Sequence, residues 1–213
     1  MSATLVQERS SFISKVYSLF IASLVVAGIG ASVGMSMNLE YRGSLSLVGL
    51  LLLFLAGAVR TIPGLNVGAL FLFTFVEGLT FGPIFNIFQE AGRMDIVYQS
   101  LEITGGSFLA LTLYVFIAKE DFNWLGAIVW PALIGMLITG LLNVFWPMGG
   151  TAFTVYLYLG VLLFIGFILY DTSRIVTRYP DDHYAAGAID LFLDFINLFM
   201  FVLQLLGGRA SRD

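Results

Sequence analysis

The chain alternates long apolar runs with short polar breaks. The runs cover residues 15–37, 43–59, 63–88, 102–118, 124–146, 151–170 and a more polar seventh stretch, 185–206. A helix needs roughly 20 residues to cross a hydrocarbon core, so each run approaches or exceeds a membrane span. The runs are continuously apolar and do not alternate with a period of two, which predicts helices and not a barrel. The pattern therefore predicts an all-α integral membrane protein with seven transmembrane helices. Breaks this short leave no room for a second domain. The predicted organisation is a cytoplasmic N-terminal segment, 1–14, one seven-helix domain, 15–206, and a short C-terminal tail, 207–213.

Composition agrees with that solvent. Of the 213 residues, 59% are hydrophobic and 11% charged, against about 25% charged in soluble domains. The first run exceeds the apolar core of a cleaved signal peptide and is followed by six more, so it is expected to stay as a signal anchor. With the N-terminus inside, the cytoplasmic side receives Arg9, Lys15, Arg60, Lys119, Arg174 and Arg178, and the other side only Arg42 and Arg93. That bias predicts a cytoplasmic N-terminus. The tail, with Arg209 and Arg212, falls outside if the seventh segment crosses fully and inside if it re-enters.

A net charge of −4 argues against nucleic acid as a partner, because no basic stripe is available to displace counterions from phosphates. The absence of cysteine removes disulfide, iron–sulfur and thiol chemistry. His183 lies beside Asp181 and Asp182, but a hydrated charged turn accounts for the three and no second His exists to complete a typical set of metal ligands. Gly28, Gly30 and Gly34 in "GIGASVGM" imitate part of a dinucleotide loop, but no strand precedes them. Gly30 and Gly34 instead form GxxxG, a helix-packing face, and the same packing role is expected of Gly135, Gly160 and Gly166. Pro83 is expected to bend the third helix.

Ionisable residues inside apolar runs carry the functional signal, since each costs roughly 2.5 to 3.5 kcal/mol at a helix centre. Four stand out: Glu77, Asp171, Asp190 and Asp194. Arg60, closing the second run, is the cation nearest the apolar region. On the seventh helix Asp190, Asp194, Asn197, Phe201 and Gln204 fall within about 40° of one line, which predicts a polar stripe facing a protected interior. The alternative is that these groups are polar glue between helices. Asp171 ends the sixth apolar run, where a carboxylate would oppose the helix dipole, so the helix is expected to continue. Asp171, Arg174 and Arg178 then share a face until Pro180 stops it. A surface pair of Asp171 with Arg174 is the simpler reading of that spacing.

Two acids on adjacent helices at an apolar boundary resist double ionisation and can share one proton near neutral pH. With Arg60 bonding the ionised form, they would make a bistable latch. Deprotonated, Asp171 and Asp194 also offer hard oxygen ligands for a transient Ca²⁺. No bound cofactor is expected.

The segments "ILYDTSRI" and "LDFINLF", the 23-residue interval from Asp171 to Asp194, and "FTFVEGLTFGPIF" in the third run resemble the transmembrane Bax inhibitor motif family, in its bacterial branch. The resemblance covers essentially the whole chain. It departs at Phe192, where the family's "LYLDFINLF" has a tyrosine, which removes a hydroxyl near the acid. The resemblance implies a seven-helix fold with the last helix central and six wrapped around it, in a bacterial inner membrane. It further implies a pH-sensitive Ca²⁺ leak whose di-aspartyl sensor maps to Asp171 and Asp194, with Arg60 as basic partner. Glu77 matches an acid common in the family's third segment. Asp190 receives no sensing role and, with Glu77 and Asn197, is expected to line the pore or support the pair.

Two other classes compete with the leak. A non-transporting regulator would bind other membrane proteins, such as a protease or cell-death machinery. An intramembrane aspartyl protease would use the two aspartates, but that class carries GxGD at the second acid, where this chain has Leu191, Phe192, Leu193 and Asp194. Its "PAL" triplet, here at 131–133, also precedes both acids instead of following them. The expectation is accordingly not an enzyme.

Overall fold

The computed structural model describes residues 3–38, 40–118 and 120–210, with side chains from residue 9 onward except those of Arg42, Arg209 and Ala210. Lys119 and Arg212 of the topology count lie outside the described residues, as do the side chains of Arg42 and Arg209. Seven α-helices follow in chain order: α1 (Ala3–Gly34), α2 (Tyr41–Ala58), α3 (Leu65–Glu90), α4 (Met94–Ala118), α5 (Gly126–Phe145), α6 (Gly150–Thr177) and α7 (Tyr184–Ala210). A 3-10 turn, Phe122–Leu125, precedes α5. No strand occurs among the described residues.

Among the described residues six helices are long and apolar enough to cross a membrane, and α2 is shorter, with its apolar part at Gly43–Ala58. At 1.5 Å per residue the 18 residues of α2 span about 27 Å, close to a hydrocarbon core of about 30 Å. α6 continues past the apolar run to Thr177, as the spacing of Asp171 and Arg174 predicts, and Arg178 N–H closes it on the Arg174 carbonyl at 2.8 Å. α3 runs on through Pro83. It ends in a Schellman motif: Gly92 takes φ 66°, its N–H donates to Gln89 O at 3.0 Å, and Arg93 N–H donates to Phe88 O at 2.8 Å.

The chain divides into two units. One takes the described residues through Met94 together with Tyr179–Phe192, and the other takes Asp95–Arg178 with the described residues from Leu193 onward. In the first, α1 and α3 meet backbone to backbone through paired small-residue faces. A Cβ on Gly30 would collide with the Phe75 carbonyl oxygen, and one on Gly34 would lie 2.5 Å from the Leu79 carbonyl oxygen. Reciprocally, Gly78 abuts the Ala27 carbonyl and Gly82 the Gly34 backbone. The GxxxG of α1 is thus matched by Gly78 and Gly82 of α3, and dispersion across so close a contact holds the two helices where lipid offers no hydrophobic drive.

In the second unit, Gly126 admits the Tyr170 ring, Gly166 admits Val129, and Gly160 lies under the Phe201 ring. Gly135 differs: a Cβ there would meet nothing within 4 Å, so the packing role expected of it is not one it plays. It sits on α5, whose Ile134, Leu137, Ile138 and Leu141 are exposed, as suits a lipid-facing helix. α7 is the opposite case, with no exposed residue from Tyr184 to Leu203.

Replacing Gly78 by Ala should cost about 1–3 kcal/mol, because the methyl must push α1 off a carbonyl. Gly135→Ala should be neutral or gain up to about 1 kcal/mol from helix propensity. Thermal unfolding of both variants in one detergent checks this; equal shifts of the same sign would contradict the packing assigned to Gly78.

Candidate functional site

Asp171 on α6 and Asp194 on α7 belong to the same unit and are buried, 5% and 4% exposed. Arg174, one turn further along α6, donates from Nη1 to Asp171 Oδ1 at 2.8 Å, and its guanidinium lies 5.2 Å from the Tyr170 ring centre. The pair that the spacing offered therefore forms, but it is no surface pair. The carboxylate side chain is 6% exposed and the guanidinium side chain 32%, so the cation reaches inward from a more exposed position.

The register of α6 and α7 brings the two acids to one level. A six-residue connection makes the helices antiparallel. Phe164 of α6 stacks on Phe201 of α7 with centroids 5.8 Å apart. Asp171 lies seven residues after Phe164, and Asp194 seven before Phe201. Seven residues are about two turns, roughly 10.5 Å along the axis and within about 20° of the same face. In an antiparallel pair both steps run the same way, so each acid is displaced equally from the Phe164–Phe201 contact.

The other sequence-predicted residues fall elsewhere. In the first unit Asp190, half-buried, accepts a 2.7 Å hydrogen bond at Oδ2 from the Tyr179 hydroxyl. Glu77 is half-buried on α3, and Gly49 of α2 leaves room for its Oε1, which lies 2.6 Å from where a Cβ would stand. Arg60 is exposed just beyond α2, where its carbonyl accepts from Asn66 Nδ2 at 3.2 Å. The cation found on Asp171 is Arg174. Asn197 and Gln204 donate to carbonyls of their own helix, Leu193 at 2.7 Å and Met200 at 3.0 Å, and are half-buried and exposed respectively. They are neither interhelical glue nor part of a sealed stripe. Of that face only Asp194 is deeply buried, because the apolar line through Ala188, Phe192 and Phe199 takes the best-protected side of α7. Among the described residues no group of three or more His, Asp or Glu side chains could hold a metal ion.

Sequence reasoning missed two clamps. Arg9, counted only as a topology marker, donates to the Tyr179 carbonyl at 2.6 Å and to Asp181 Oδ1 at 2.9 Å, and lies 4.7 Å from the Phe12 ring, which stacks on Tyr179. That ties α1 to the residues entering α7, and through the Tyr179 hydroxyl to Asp190. In the second unit the loop before α5 is tied to the end of α6: Phe122 N–H donates to Ser173 Oγ at 3.0 Å and Arg178 pairs with Asp121 at 2.7 Å. The Asn123 backbone N–H, its side chain and Arg178 hold the Asp121 carboxyl below its usual value of 3.8. Neither clamp has a periodicity to betray it, since the partners stand 170 and 57 residues apart.

Comparison with known proteins supplies the family. The model described as "Inhibitor of apoptosis-promoting Bax1" matches residues 9–211. The chain belongs to this Bax inhibitor family. Bax inhibitor 1 of Schizosaccharomyces pombe is 38% identical over 144 residues, 68% of this chain but 53% of that protein, so the match spans about half the relative's length. The Golgi anti-apoptotic protein of vaccinia virus (strain Lister) is 37% identical over 142 residues, 67% of this chain and 58% of its own. Inner membrane protein YbhL of Escherichia coli is 28% identical over 232 aligned positions that cover 98% of this chain and 97% of its own. This family member is accordingly a multi-pass membrane protein.

Two outcomes test the clamps. Arg9→Ala should loosen residues 179–183 by about 1 kcal/mol, read as faster amide hydrogen exchange there with the second unit unchanged. Asp121 has a depressed folded-state value, so its stabilisation is complete above 3.8 and lost as pH falls through the lower folded value. Exchange at Phe122–Leu125 should rise in that acid window in the wild type, and Asp121→Asn should show the looser state at every pH.

Proposed function

We propose that this Bax inhibitor family member is a pH-sensitive Ca²⁺ leak of a bacterial inner membrane, with Asp171 and Asp194 as its proton-sharing gate. The observation that carries the reading is the pair itself: two carboxylates, each more than nine-tenths buried, at one register level of adjacent antiparallel helices. Ionised together where both are buried they repel, and one shared proton relieves the repulsion. Arg174 adds a cation that holds Asp171 while ionised and has less to hold once it is protonated. Proton occupancy thus biases the packing of α6 against α7, which is the two-state element a gate needs. Ca²⁺ passes as substrate, touching the same hard oxygens transiently, and no resident cofactor or catalytic step is required.

The lack of exposed residues on α7 from Tyr184 to Leu203 supports a central last helix wrapped by the other six. Its 27 residues, about 40 Å at 1.5 Å each, support a full crossing with the C-terminus opposite a cytoplasmic N-terminus. Arg60 keeps the basic-partner role only if the gate's other conformation brings it to a carboxylate.

A regulator of other membrane proteins is the second reading, favoured by the names of the yeast and viral relatives, a Bax inhibitor and an anti-apoptotic protein. Purified protein in liposomes loaded with a Ca²⁺ dye separates the two. The leak should vary with pH, and Asp171→Asn and Asp194→Asn should each flatten that dependence. A flux unchanged by both, or no flux at any pH, sinks the leak and leaves the regulator.

A further inference from the structure

α4 carries Ser100, Thr104 and Thr112 at four- and eight-residue spacings, with Phe108 between the threonines on the same face. All are buried: Ser100 and Thr104 are 0% exposed, Thr112 and Phe108 6%. Helical hydroxyls ordinarily return a bond to a carbonyl four residues back, as Ser100 does to Ile96 at 2.7 Å and Thr139, Thr154 and Thr177 do at 2.7–2.8 Å. Thr104 and Thr112 do not, and neither does Thr172 on α6, which is 0% exposed. The Oγ1 atoms of these three residues have no hydrogen-bond partner among the described residues.

A buried hydroxyl left without a partner costs about 1–3 kcal/mol, so three in one unit call for a ligand. The ligand must donate and accept, carry no charge, and fit between packed helices; water is the one that does. The hydroxyls also lie close in chain and register to the acids. Phe108 packs edge-on against Phe195, 5.7 Å between centroids, and Phe195 follows Asp194. Thr104 and Thr112 stand one turn to either side of Phe108, about 6 Å each along α4. Thr172 follows Asp171.

We propose that Thr104, Thr112 and Thr172 bind buried water, forming a hydrated track that leads to Asp171 and Asp194. The track's purpose rests on the gate reading above, while its existence does not. Because the natural chain lacks cysteine, Thr104→Cys, Thr112→Cys and Thr172→Cys can each be probed singly in liposomes with a methanethiosulfonate, which needs a hydrated thiolate. Val16→Cys and Val76→Cys, buried at 0% and 7% in the other unit, are the controls away from the track. The three threonine positions should react at least about tenfold faster than the controls; rates equal to the controls overturn the track.

Radiolytic hydroxyl-radical footprinting of the unaltered protein guards against misfolded variants. Phe108 and Phe195, 6% and 9% exposed, should be oxidised well above the comparably buried Phe81 and Phe164, at 7% and 6%; no excess oxidation overturns the track as well. Thr104→Val and Thr112→Val should slow Ca²⁺ flux where Thr104→Ser and Thr112→Ser preserve it. If the cysteines react and Ca²⁺ never passes, the track stands and the leak falls.

Discussion

Burying a carboxylate costs several kcal/mol unless charge, hydrogen bonds or a proton compensates it, and this fold buries two at one level. Much of the second unit is arranged around that cost. Phe164 and Phe201 set the register that brings Asp171 level with Asp194, and Gly160 gives Phe201 its seat on α6. Arg174 supplies a cation from the last turns of the same helix, and the end of that helix is in turn fixed by Ser173, Thr177 and Arg178 to the loop before α5.

The first unit answers a different problem. Between helices in lipid there is no hydrophobic drive, so contact area and close approach must do the holding. α1 and α3 solve it by bringing carbonyls of one helix onto glycines of the other. Arg9 then fastens the N-terminal part of α1 to Tyr179 and Asp181, and the Tyr179 hydroxyl donates in turn to Asp190. Asp190, which spacing alone made the equal of Asp194, is thereby a tethering group next to a loop.

The spans were legible in the sequence because their signal is one-dimensional: length and hydropathy suffice. So was the extension of α6, since a carboxylate at a helix end conflicts with the dipole and Pro180 offers a later stop. Asp171 and Asp194 stood out as candidates because acids are rare in such runs, and what the structure adds is their burial. What could not be read was mutual. Gly30 and Gly34 announce a packing face, but that Gly78 and Gly82 complete it depends on which helices meet. Gly135 has the same local appearance and faces open space. Arg9 and Tyr179 carry no periodic signal, and the hydroxyls of Thr104 and Thr112 become unusual only when their missing carbonyl bonds are seen. The polar stripe on α7 was drawn correctly as geometry and misjudged as environment, because Asn197 and Gln204 satisfy themselves on their own helix.

The coupling of the two acids is the point on which all of this turns, and infrared titration of the protonated carboxyl stretch in lipid reads it directly. A proton-sharing pair predicts two separated titration steps in the wild type, merging into a single displaced step for Asp171 in Asp194→Asn and for Asp194 in Asp171→Asn. Two carboxyls that titrate independently, each unmoved by loss of the other, would contradict it.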